Sequence, residues 1–230
     1  MGIFRKGMEF FGEKPKDKES KDKGEDISWT RNSIEAGGEE GRNLEEYIEE
    51  LGFSLDDLAN KDVLDLGSGP TARLSKELRK KVANARVISL SPDYSIGKHR
   101  QVAIAAGADN LVAGLGQRLP FPNESFDVVL SFHVLGYIRD AQDYKKILLE
   151  AARVLKKGGQ ARIGPIYHRP WDFWFNKDIR MLESSRTELN SLGVKIYEEE
   201  LPDKFEHWFA AVYEPKHKYM AYRLFLEQQK

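Results

Sequence analysis

The sequence predicts an α/β domain built on a doubly wound, mostly parallel sheet. Three observations carry that expectation: short apolar runs alternate with amphipathic stretches from Lys61 onward, the first run ends in a glycine turn, and each run has strand or helix length. With 230 residues, 40% of them hydrophobic, the chain can bury one sizeable core. One domain is expected over residues 27–230. The formal net charge of -1 gives no global attraction to a polyanion, so nucleic acid is not an implied partner. The chain has no cysteine, which excludes disulfides, cysteine-ligated zinc and thiolate nucleophiles. No segment approaches the ~18 consecutive apolar residues of a membrane span, and the N-terminus lacks a secretory apolar core; a cytoplasmic location is the expectation.

In chain order, residues 13–26, EKPKDKESKDKGED, alternate in charge with nothing apolar to bury, so residues 1–26 read as a flexible arm. Its first stretch, MGIFRKGMEFF, is weakly amphipathic and is either a frayed end or a segment for partner or surface docking. Lys6 stands where a myristoylation signal requires serine or threonine. From Asn43, the spacing of Leu44, Tyr47, Ile48 and Leu51 predicts a helix that Gly52 ends. A short helical stretch around Asp56 and Asp57 leads to VLDL, the first strand. RVISL, a helix over 92–106, NLVAG, FDVVLSF, a helix over 141–155 and QARIGPI then follow. The right-handed crossover rule winds such a series to both faces of one sheet. Past Pro170 the rhythm breaks; VKIYEEE and YMAYRLFLEQ read as two final strands, and 203–214 has no assigned element.

The sharpest local feature is Val63-Leu64-Asp65-Leu66-Gly67-Ser68-Gly69, a strand that runs directly into a glycine turn. Open parallel sheets bind ligands beyond the carboxyl ends of their strands, and a bare backbone lets a ligand approach closely. The alternative is a plain strand-to-helix turn. Gly67, Gly69 and Ala72 also satisfy the dinucleotide pattern G-x-G-x-x-A, which makes a nicotinamide enzyme the rival reading. Against it, Pro70 has no amide hydrogen for a pyrophosphate and Ser89 stands where NAD requires an acid. Ser89 with Arg86 leaves room for NADP. Tyr94 and Lys98 form the chain's Tyr-x-x-x-Lys, too early for a hydride-transfer pair.

VLDLGSGP resembles motif I of the class I S-adenosylmethionine-dependent methyltransferases; RLPFPNESFDVVLSFHVLGYIRD and EAARVLKKGGQARI resemble the segments around their fourth and fifth strands. The three stand in the family's order and spacing, and the resemblance covers about Asn43 to Ile166. It implies a Rossmann-like, seven-stranded sheet closed by an antiparallel C-terminal strand pair, and methyl transfer from S-adenosylmethionine to a small or medium acceptor. The cofactor would lie against Asp65, Leu66, Gly67, Ser68 and Gly69, then Ser89, Leu90 and Asp93, then Gly116 and Gln117, then Ser131 and Phe132. A carboxylate at Asp65 complements the cofactor's ammonium.

Three positions depart from the family. Thr71 replaces a common third glycine, Ser89 the acid that grips the ribose, and Leu115 an acid near the adenine amine. Each lost acid removes a charge-assisted hydrogen bond worth about 1.5–3 kcal/mol. Asp93 is the substitute candidate for the ribose. A module of this fold that binds a partner without catalysis is therefore the main alternative function. After the fourth strand, His133 is the candidate general base and Tyr137 a second candidate facing the transferred methyl. The signature of exocyclic amine methylation, an acid or asparagine followed by two prolines and an aromatic, is absent. Tyr167, His168, Trp171, Phe173, Trp174 and Phe175, with Trp29, read as an aromatic wall over an apolar acceptor, or as packing.

Overall fold

The computed structural model describes residues 41–82, 84–105, 107–168, 177–201 and 220–229. The arm over 1–26, Trp29, the aromatic run 171–175 and the unassigned stretch 203–214 lie outside the described residues.

Helix α1 (Leu44–Leu51) forms where the apolar spacing predicted it. Asn43 and Glu46 close a capping box at its start, and Gly52 ends it in the left-handed conformation, with φ 65. Strand β1 (Asp62–Leu66) leads through the glycine turn to α2 (Arg73–Lys81). Then come β2 (Arg86–Ser91), α3 (Gly97–Ala105), β3 (Leu111–Ala113), β4 (Phe126–Phe132), α4 (Ala141–Val154) and β5 (Leu155–His168). The rhythm continues one helix further than the sequence reading allowed: α5 (Lys177–Ser191) precedes β6 (Val194–Glu200) and β7 (Met220–Gln228). Met181, Leu182, Ser185 and Leu189 of α5 are buried, a four-residue spacing that the density of polar residues around it disguised.

The strands form one seven-stranded sheet in the order β3-β2-β1-β4-β5-β7-β6. β1 to β5 pair in parallel, and β7 runs antiparallel between β5 and β6. This is the Rossmann-like sheet with its antiparallel C-terminal pair. The strand order reverses at β1, which places the switch point at the carboxyl ends of β1, β2 and β4. Two cores flank the sheet. Leu64, Leu66 and Val129 pack with Ile147 and Leu148 of α4 on one face. Val63, Val87, Val128 and Leu130 pack with Leu44, Tyr47 and Leu51 of α1 and with Leu74 and Leu78 of α2 on the other.

Candidate functional site

Side chains alternate across a strand, so Asp65 shares the α1 face with Val63, while Leu64 and Leu66 point toward α4. Asp65 is fully buried. Its Oδ1 accepts a hydrogen bond of 3.1 Å from the Tyr47 hydroxyl, and its Oδ2 has no hydrogen-bond partner among the described residues. Burial pushes the carboxyl up to about 7, and the Tyr47 hydrogen bond only partly opposes it. The β1–β2 register sets Ser89 abreast of Asp65 on the same face, also fully buried and with no hydrogen bond to its Oγ among the described residues. Two adjacent orphaned polar atoms, each costing about 1–3 kcal/mol when desolvated, mark a site for a polar ligand better than they serve the fold.

Above them the chain turns. Gly67 and Gly69 take φ 83 and φ 67, values a side chain makes costly. The amides of Gly67 and Ser68 both donate to the Leu90 carbonyl, at 2.9 and 3.1 Å, which ties the turn to the end of β2. The buried Tyr94 hydroxyl holds it from the other side: it donates to the Gly69 carbonyl and lies within hydrogen-bonding distance of Ser68 Oγ, each at 2.7 Å. Tyr94 is thus a structural clamp, and burial pushes its hydroxyl far above the ordinary range. The two glycines differ in surroundings. A Cβ at Gly67 would overlap the Val134 side chain, whereas one at Gly69 would meet nothing within 4 Å. Gly69 therefore faces open space among the described residues, at the end of the turn that follows β1.

Val134 follows His133, so the segment leaving β4 packs directly on the glycine turn. His133 has φ 58, and its amide donates to the Gly164 carbonyl at 2.7 Å. A left-handed non-glycine residue costs about 1–2 kcal/mol, a strain retained where the side chain's aim matters. Its ring lies 4.6 Å from that of Phe132, whose own ring stands edge-on to Tyr47 at 4.8 Å. His133 Nε2 is 3.7 Å from Glu50 Oε2 on α1. Mutual attraction would raise the imidazole and lower the carboxyl, but burial dominates both: His133 is held down to about 4 and Glu50 pushed up to about 7. Arg42 reinforces the first shift and opposes the second.

The other predicted residues are divided. Leu66 and Leu90 are core residues, each 1% exposed, and present backbone rather than side chain to the turn. Asp93 sits in a short 3-10 turn, Pro92–Ser95, where Ser91 Oγ accepts from its amide and donates to its Oδ2 at 3.1 Å. Gly116 passes close to Ile147 of α4, where a Cβ would sit 3.2 Å from Cγ1; Gln117, beside it, is partly exposed. Ser131, fully buried with Oγ unpartnered, points to the α4 face, away from Asp65. Tyr137 is 82% exposed and Leu115 57% exposed. Arg86 pairs with Asp62 at the opposite edge of the sheet, about 10 Å from Ser89 along β2, so it does not complete a 2′-phosphate site. Tyr47 and Glu50 carry no motif; their i, i+3 spacing on the apolar side of a predicted helix was the available signal.

Comparison with known proteins points to methyltransferases. Residues 64–163 match the family model described as a methyltransferase domain. The 2-methyl-6-phytyl-1,4-hydroquinone methyltransferase 1 of Oryza sativa is 34% identical over 122 residues, 52% of this chain and 36% of that protein. A ubiquinone/menaquinone biosynthesis C-methyltransferase, UbiE of Xanthomonas campestris, is 36% identical over 108 residues, 44% of this chain and 40% of that protein. The chain thus matches well under half the length of these relatives. Among solved structures, Haemonchus contortus phosphoethanolamine N-methyltransferase 2, in complex with S-adenosyl-L-methionine, shares the fold at TM-score 0.54 and 16% identity, over 74% of this chain and 49% of that one.

Proposed function

We propose that the chain, a class I S-adenosylmethionine-dependent methyltransferase domain over residues 64–163, binds that cofactor at the carboxyl ends of β1 and β2 and transfers its methyl group to a small acceptor. One observation carries the reading: Asp65 Oδ2 and Ser89 Oγ are buried, abreast and without a hydrogen bond among the described residues, at the strand ends that lead to a turn whose Gly69 faces open space. Those residues fit the cofactor. Asp65 would take the ammonium, Gly67, Ser68 and Gly69 would lie along the methionine part, and Ser89 with Asp93 would serve the ribose. When bound, the cofactor supplies a methyl on positively charged sulfur, already activated for in-line transfer, so the protein's main task is positioning. His133 is the base of this reading, and Phe132 the flat wall beside it.

The relatives' names put a hydroquinone ring first among acceptors to try. The aromatic run 171–175 and Trp29 are proposed to wall that acceptor, and the N-terminal arm to dock the protein on a partner. A cytoplasmic location is part of the same reading; among the described residues no helix is long and apolar enough to cross a membrane. Ser89 and the exposed Leu115 favour the second reading, a binding module without catalysis. Calorimetric titration with S-adenosylmethionine, S-adenosylhomocysteine and NADPH separates the cases. Micromolar binding of both adenosyl ligands is expected; silence toward all three supports the module, and binding of NADPH alone supports a reductase.

A further inference from the structure

Helix α1 lies outside the matched segment, yet it reaches the site twice from one face. Tyr47 meets Asp65 of β1, and Glu50, one helical turn later, meets His133 beyond β4. Glu50 is a costly residue to keep there: its side chain is 14% exposed and its Oε2 is buried without a hydrogen bond. A glutamine or leucine would pack a helix face with less penalty. The backbone strain at His133 points the same way, since φ 58 directs the ring to its place between Phe132 and Glu50.

We infer that Glu50 is a positioning residue for proton transfer: facing His133 Nε2, it makes that imidazole able to take up the proton a methyl acceptor loses. This rests on the methyl-transfer reading above and narrows its substrate class to acceptors with a removable proton, such as a phenolic hydroxyl or an amine, over thioethers and tertiary amines. In the step, a lone pair on the acceptor's oxygen or nitrogen forms the new X–CH3 bond, and the X–H bonding pair stays on X as its proton leaves. The methyl–sulfur pair stays on sulfur, and the proton moves to the His133 ring. The imidazolium so formed is offset by the Glu50 carboxylate 3.7 Å away, and the proton leaves to solvent after product release.

Among the described residues, charged groups approach the pair from three directions. Arg42 and Glu46 face it from the start of α1; the adjoining strands β5 and β7 bring Arg162 to the Gly52 carbonyl and Arg223 to the Glu49 carbonyl, at the other end of the helix. Burial holds Glu50 up to about 7 and His133 down to about 4, so above neutrality the pair carries no proton and stands ready to accept one.

The test is an NMR titration of the full chain with isotopically labelled histidine, His133→Gln serving to assign the His133 signal among the 5 histidines. The wild-type His133 signal is expected to move in two steps, near about 7 and near about 4. Glu50→Gln should lose the upper step and keep the lower, while Glu50→Asp keeps both. In parallel, S-adenosylhomocysteine should bind wild type and Glu50→Gln with equal affinity. A single His133 step that Glu50→Gln leaves unmoved, with S-adenosylhomocysteine binding intact, overturns the inference alone. Failure of the wild-type chain to bind S-adenosylhomocysteine overturns the methyl-transfer reading and the inference with it.

Discussion

The two edges of the sheet handle charge in opposite ways. At the amino edge, Lys156 Nζ donates to Asp62 and Asp127 at 2.7 and 2.8 Å, Asp127 also accepts from the Asp62 amide, and Arg86 closes the group. Arg153 binds Glu150 and the carbonyls of Leu119 and Phe121 nearby. Its neighbours hold the Asp127 and Glu150 carboxyls below the usual range despite partial burial. At the carboxyl edge, Asp65, Ser89, Ser131 and Glu50 each bury a polar atom that has no hydrogen bond among the described residues, and burial raises both carboxyls. One edge is closed by ion pairs; the other keeps buried polar atoms unpaired among the described residues, and it is where the cofactor is proposed to bind. On the proposed function, stability and binding are separated along the strands, with the unfavourable polar burial kept at the binding end.

The largest expected break in this contrast is Asp65→Asn. It removes the charge that meets the cofactor's ammonium, so affinity for S-adenosylhomocysteine should fall about ten- to a hundredfold, from a charge-assisted bond worth about 1.5–3 kcal/mol. The amide still accepts from Tyr47, and loss of a buried carboxylate should raise unfolding free energy in mild alkali by about 1–3 kcal/mol. A thermal melt beside the titration checks both signs.

The two glycines sharpen the division within the turn. Gly67→Ala meets Val134 and a left-handed backbone, so a loss of about 2–3 kcal/mol in denaturant stability is expected. Gly69→Ala meets only the backbone term, about 1–2 kcal/mol, yet places its methyl in the space assigned to the cofactor. Its affinity loss should therefore exceed what its stability loss explains. Lys156→Met provides the control from the other edge. It leaves Asp62 and Asp127 facing each other and should cost about 1–2 kcal/mol of stability while ligand affinity stays within twofold.

The contrast also shows in the pH dependence of stability. Asp65 and Glu50 have folded-state values near 7, above those of the unfolded chain, so the folded state binds more protons between about 4 and 7, and stability falls as pH rises through that window. His133, held down to about 4, acts oppositely between about 4 and 6.5 and offsets part of the decline. Asp127 and Glu150, lowered in the folded state, contribute stability that disappears only as pH drops through the acid range. Denaturant midpoints measured against pH should peak in mild acid, and Asp65→Asn should flatten the neutral limb.

Much of this was legible in the sequence. The alternation from Val63 to Ile166 gave the parallel strands because buried strands and amphipathic helices differ in period, and Asn43 with Gly52 bounded α1 by known capping chemistry. Helix α5 was not legible, because a handful of apolar residues among many polar ones leaves a weak period. In the site, Asp65 and the glycines could be read from their motif. The partnership of Tyr47 with Asp65 and of Glu50 with His133 could not: it depends on where α1 docks, which is set by long-range packing of Leu44 and Leu51.

The most direct test of the central claim is a calorimetric titration of wild type and Asp65→Asn with S-adenosylhomocysteine in mild alkali, with a melt of each protein. Micromolar binding by wild type, binding weakened at least tenfold in Asp65→Asn, and an equal or higher melting temperature in the variant are predicted. Wild-type silence at millimolar ligand, or equal affinity in the two proteins, would contradict the assignment of Asp65 to the cofactor.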